Sequence, residues 1–214
     1  MRSPTRQALR LLALLLLLPA PVLATDTLDD VLARMQAGQP HHYRYREIRH
    51  MELLEDDWQA QGDLFVAERR LFIAQSLPRP LLISITASRM LYLDPQHDVR
   101  RVRILQDNTN IPGITPLLQF FRTSHSRAEL EKRFRVRFTS TQGRWTLHLV
   151  PDSGWHRFVR YLEISGNESQ GTDHIHLEFT DNDYTDWFLT AQSSGAQAAA
   201  EMEALLQQTR SWQP

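Results

Sequence analysis

No cysteine occurs in this chain of 214 residues. That excludes disulfides, thiolate zinc sites, thiol nucleophiles, haem attached through cysteine, and a lipid anchor on a cysteine left after processing. Lysine is almost missing as well: Lys132 stands alone, so nearly all positive charge is arginine. After residue 24 no stretch has 18 uninterrupted apolar residues, so the processed chain is expected to be soluble. No G-x-S-x-G elbow occurs, which removes the usual sequence mark of an α/β-hydrolase nucleophile.

What is present begins with MRSPTRQALRLLALLLLLPAPVLA. Arg2, Arg6 and Arg10 form a positive front. Leu11 to Leu18 is an apolar block too short to span a bilayer as a helix, which needs about 20 residues. Pro19 and Pro21 break it, and Val22 and Ala24 occupy the −3 and −1 places of a small-residue cleavage site. The pattern predicts a secretory leader over 1–24 and a single mature domain over 25–214. Export places the domain outside the cytosol, without ATP or nicotinamide pools. The formal charge is −1, and losing the three leader arginines makes it −4, which argues against nucleic acid as a partner.

Leu28, Val31, Leu32 and Met35 follow helical spacing, with Thr27 as cap and Gly38 and Pro40 as terminators. Beyond them the period becomes two. Strands are expected at His41–His50, Trp58–Glu68, Leu71–Gln75, Leu81–Thr86, Met90–Leu93 and Val99–Leu105, separated by the Glu55–Asp57 turn and by prolines. Between Gln106 and Lys132 the meander pauses. Pro116 can open a helix carrying Leu117, Leu118, Phe120 and Phe121, and Ser126 with Glu129 fits a capping box. Alternation then resumes around Phe134–Phe138, Trp145–Leu149, Leu162–Ile164 and Ile175–Phe179, ahead of a final helix bearing Met202, Leu205 and Leu206. About ten strands with one apolar face each predict a mainly β chain with few helices (α+β). They form a single curved antiparallel sheet covered on one side, with the helices as a lid.

Candidate chemistry is sparse. His174 and His176 share a strand face near Asp173 but lack a third ligand, so no metal or other cofactor is expected. Asp152, Ser153 and His156 hold the atoms of a triad, yet within five residues they read as a hairpin turn. Asp56 with Asp57, and Glu52 with Glu55, read as exposed turn acids. Pro112–Phe121 is more suggestive: an apolar element inside a sheet protein, read either as a core helix or as a lid over a ligand cavity.

The chain resembles the periplasmic outer-membrane lipoprotein carrier family, the LolA-type proteins. The likeness rests on the order of a leader, a short helix, Gly62-x-Leu64, Met90 to Pro95, the Thr115-Pro-Leu-Leu118 start, and Trp145 to Pro151. It departs from the family where neither Arg69 nor Arg70, the arginines nearest the glycine strand, precedes proline. The resemblance implies an incomplete β-barrel with a helical lid, and a soluble periplasmic carrier without catalytic activity that moves lipoprotein acyl chains or envelope lipids toward the outer membrane. The implied partners are acylated cargo and transient membrane-associated donor and acceptor proteins; the oligomeric state is left open. Burying a 16-carbon chain at about 0.8 kcal/mol per CH₂ gives roughly 10 kcal/mol before ordering costs. The expected cavity residues are Leu64, Val66, Ile83, Ile85, Tyr92, Ile104, Phe138, Leu147, Leu149 and Leu177. Ile114, Leu117, Leu118 and Phe121 are the expected lid, with Arg69 or Arg70 as its gating arginine. The alternatives are a non-transport envelope assembly or protein-interaction module with a filled core, and a hydrolase with an unrecognised site.

The leader makes a direct prediction. N-terminal sequencing of the exported protein should begin at Thr25; a chain that keeps Met1 and stays in membranes would end the periplasmic reading.

Overall fold

The computed structural model describes residues 26–37, 39–67, 70–86, 88–105, 126–152, 158–169 and 171–210. Eleven strands form one antiparallel sheet: β1 (His41–His50), β2 (Trp58–Ala67), β3 (Arg70–Leu77), β4 (Leu81–Thr86), β5 (Arg89–Asp94), β6 (Val99–Ile104), β7 (Phe134–Thr141), β8 (Arg144–Pro151), β9 (Val159–Asn167), β10 (Gly171–Phe179) and β11 (Tyr184–Ser194). Their spatial order is 6-5-4-3-2-1-11-10-9-8-7. The chain thus makes two meanders, β1 to β6 and β7 to β11, joined where β1 pairs with β11. β6 and β7 are the edges, and among the described residues no ladder joins them, so the sheet stays open. A twist of about 20–25° between neighbours accumulates over eleven strands, and the sheet curls.

Strict alternation creates the inner face. In β8 it turns Trp145, Leu147, Leu149 and Pro151 inward and leaves Arg144, Thr146 and His148 outside. Register carries the face sideways: Leu147 lies opposite Ile164, and Ile164 opposite Ile175. The resulting core reaches from Ile85 in one meander to Phe134 in the other. Helix α1 (Leu28–Gln36) inserts Leu28, Val31 and Leu32 into it. Its start is fixed by a reciprocal capping box, in which the Thr27 hydroxyl accepts from the Asp30 N–H and the Asp30 carboxylate accepts from the Thr27 N–H. Helix α2 (Arg127–Glu131) is capped by Ser126 and buries Leu130 completely.

The last helix departs from expectation. Helix α3 (Gly195–Arg210) covers the outer face of the sheet, not the inner one. Phe65 and Phe72 face each other there across β2 and β3, with ring centroids 6.0 Å apart, and Met202, Leu205 and Leu206 pack on them. Glu201 pins the helix: it accepts from the Ser193 hydroxyl at 2.6 Å and lies 2.7 Å from Nδ1 of His42, whose ring stacks on Phe65. Hydrogen bonds from Ser193, Gln197 and His42 hold the Glu201 carboxyl below its usual pKa. The sheet is therefore covered on both faces at this point. Consecutive apolar residues, Leu64-Phe65-Val66 and Leu71-Phe72-Ile73, are the reason.

Gly62 sits on the inner face beside a register shift that brings the Gln75 backbone close. A Cβ there would lie 2.1 Å from the Ala74 carbonyl oxygen and 2.8 Å from Gln75 Cα. Gly62→Ala should therefore cost about 3 kcal/mol, read as a lower urea midpoint. An unchanged midpoint would mean that β3 yields freely at this bulge.

Candidate functional site

Pairing across the first meander lines up the inner face in rows. Tyr43, Leu64, Ile73, Ile83, Tyr92 and Arg101 are successive direct partners from β1 to β6. Two residues along, His41, Val66, Leu71, Ile85, Met90 and Arg103 make a second row. Five strand spacings of about 4.8 Å give each row a length of roughly 24 Å. The rows differ in cover. Val66, Leu71 and Ile85 are sealed, whereas Ile73, Ile83, Tyr92 and Met90 are only half-buried.

This division sorts the residues expected to line a cavity. Leu64, Val66, Ile85, Leu147, Leu149 and Leu177 belong to the packed core, the last three with 0% exposure. Ile83 and Phe138 pack at its margin, and Tyr92 lies in the half-open row. Ile104 does not belong to this set: it pairs with Arg89, on the outer face, and is 72% exposed. Edge position defeats the alternation there, because β6 has apolar residues on a face with no cover. Arg70 pairs with Ala67 and Thr86 on the outer-face register, so it is not placed to gate an inner lid. Arg69, Ile114, Leu117, Leu118 and Phe121 lie outside the described residues, as do the leader and the turn residues Ser153 and His156.

The inner face has an arginine that sequence reading missed. Arg49 donates to the buried Glu47 carboxylate at 2.6 Å, with its guanidinium 4.9 Å from the Trp58 ring. The alternation in Tyr45-Arg46-Glu47-Ile48-Arg49 was the available signal, hidden by the charged residues themselves.

A cavity of about 400 Å³ opens between α1 and the ends of β1, β8 and β11, lined by Val31, Arg34, Met35, His41, Tyr43 and Trp145. None of the expected cavity residues lines it. It meets the first residues of both rows, His41 and Tyr43. Burial pushes the Tyr43 hydroxyl up to about 12. Burial also lowers the His41 pKa, outweighing hydrogen bonds with the backbone of Met35 and Ala37, and its Nε2 is buried without a partner among the described residues. Arg34, at the cavity wall, is held in a bidentate pair with Asp26.

On the outer face, the paired histidines serve a carboxylate. His174 Nε2 and His176 Nδ1 meet the same Asp186 oxygen at 2.7 and 2.9 Å. Asp173 is turned to Arg144, at 3.1 Å. The rings continue as a stack in which His176 lies 5.5 Å from Tyr161 and 5.7 Å from Tyr184.

No protein-family model and no curated protein matches the sequence. Solved structures do resemble it. A LolA superfamily protein from Nitrosomonas europaea is 8% identical, with a TM-score of 0.40 over 80% of this chain and 96% of that one. An outer membrane lipoprotein-sorting protein domain from Vibrio parahaemolyticus is 9% identical, with a TM-score of 0.38 over 76% and 91%. A DUF1329 family protein from Desulfovibrio piger is 8% identical, with a TM-score of 0.43 over 76% and 90%. At these values no residue role passes from them to this chain. No helix among the described residues is long and apolar enough to cross a membrane.

The first prediction here separates core from track. Leu147→Glu buries a charge in a filled core, costing several kcal/mol, and should abolish the folded circular dichroism signal. Ile83→Glu stands where water can reach it and should fold; equal unfolding of both would make the track part of the core. The second concerns pH. Because burial disfavours the charged form of His41, the unfolded chain takes that proton more readily. Stability should therefore fall as pH drops below about 6.5, and His41→Gln should remove part of that slope. Urea midpoints at neutral and mildly acidic pH decide it, and parallel slopes would assign the acid sensitivity to other groups.

Proposed function

We propose that this chain is a periplasmic carrier that lays an acyl chain of a lipoprotein or envelope lipid along the inner face of its open sheet. The observation that carries this reading is the half-buried row Ile73–Ile83–Tyr92 with Met90, beside the sealed Val66, Leu71 and Ile85. Apolar side chains left half-wet lose burial free energy, about 25 cal/mol for each Å² still exposed, which a hydrocarbon guest would recover. The row exceeds the length of one leaflet's acyl chain, about half of a 30 Å hydrocarbon core. In this reading the leader supplies export, and transfer needs no covalent step. The guest moves because the carrier's affinity lies between those of donor and acceptor, a condition met by partial rather than complete enclosure.

A second reading has its own support. Leu130, Leu147, Leu149, Leu162, Ile164 and Leu177 are all 0% exposed, so the half of the interior under β8 to β10 is solid, as in an interaction module. Native mass spectrometry of the protein taken from its own compartment distinguishes the two. The carrier reading expects bound acyl lipid in the wild type and none in folded Ile83→Glu. A lipid-free wild type that also fails to take up added acyl lipid would leave the module.

A further inference from the structure

Both apolar rows end in the same way. Across β6 the partner of Tyr92 is Arg101 and the partner of Met90 is Arg103. Both arginines are exposed, and among the described residues neither has an ion-pair partner. The carboxylate of β5 does not neutralise them: Asp94 is buried and already held by His97 Nδ1 at 3.0 Å and Arg79 at 3.5 Å. Residues two apart on a strand share a face and lie about 7 Å apart, close enough for two guanidinium groups to converge on one phosphate. Arg is suited to that task because its planar fork presents several donors in fixed geometry.

Charge on an edge strand also deters pairing with another chain. That need is met by charge on either face, and Arg100 on the outer register supplies it. It does not require an arginine at the outer end of each of two inner rows whose other members are apolar or aromatic, with one histidine at the far end of the second. A row of apolar side chains with cations at one end is the complement of an amphiphile with an anionic head.

Resting on the carrier reading, we propose that the cargo is a phosphate-bearing lipid: Arg101 and Arg103 bind its headgroup, and its acyl chain lies along Tyr92, Ile83 and Ile73 toward Tyr43. The arginines set the polarity of loading, with the head at the β6 rim and the chain tail toward the cavity beside α1.

Three probes test this on the exported protein after lipid removal: lysophosphatidic acid, monoacylglycerol of the same chain length, and inorganic phosphate. Wild type should prefer lysophosphatidic acid to monoacylglycerol by at least about ten-fold, given roughly five-fold per arginine near an anionic group. In the Arg101→Gln/Arg103→Gln double variant that ratio should fall to about one, with monoacylglycerol binding unchanged. Inorganic phosphate should not displace monoacylglycerol. An unchanged ratio in the double variant, or equal wild-type affinities for the two lipids, overturns the phosphate proposal and leaves the carrier intact. Displacement of monoacylglycerol by inorganic phosphate alone overturns the shared placement of head and chain. Failure of both lipids to bind the wild type removes the carrier reading itself, and this proposal with it.

Discussion

Ten cross-strand pairs between β1 and β11 hold the molecule together. Every other ladder joins strands adjacent in sequence, so each meander can form from local hairpins. The β1–β11 seam joins residues 41–50 to residues 184–194, and only there do the two meanders become one sheet with one inner face. The core depends on it, because Leu64, Val66 and Ile85 from one side and Leu149, Ile175 and Leu177 from the other belong to a single cluster. Such pairing carries a large loop-closure entropy, which is repaid only when the apolar faces meet. Thr185, Trp187 and Leu189 are the inward residues that β11 contributes to that meeting.

That strand is also where reading the sequence fell short. Ten strands are legible in the alternation of apolar and polar residues, and the mainly β class with one antiparallel sheet follows from them. β11 escapes pattern reading although Thr185, Trp187 and Leu189 alternate cleanly, because Tyr184 and Phe188 put aromatic residues on its outer side too. The same difficulty hid the second cluster. Phe65 and Phe72 sit inside continuous apolar runs, and alternation cannot say that every second residue of such a run serves another helix. The cap at Thr27 was legible because its chemistry is local, whereas the reciprocal partner Asp30 is seen only in the structure.

The site was legible only in part, for a related reason. Pattern assigns a residue to a face but not its depth on that face. Leu147 and Ile83 read alike in sequence, yet one is sealed in the core and the other stands half-open. Depth is set by what lies opposite, and α1 and the second meander settle that only after the seam closes. The arginine ends of the rows were invisible for a different reason. Arg101 and Arg103 acquire meaning from being opposite Tyr92 and Met90, which is a matter of register rather than composition.

An open sheet has two edges, and here both are armed. β6 carries Arg100, Arg101 and Arg103, while β7 exposes Arg135 and Arg137. Among the described residues no strand pairs with the far side of either edge, and β6 also exposes Val102 at 59% and Ile104 at 72%. Strands of that kind are templates for runaway stacking of copies into aggregates. The near-exclusive use of arginine acts as a gatekeeper against this, since a second chain approaching either edge in register would bring like charges together. Leaving the sheet unclosed thus ties resistance to edge stacking to the arginines: a variant stripped of them at both edges should keep its fold and stack more readily.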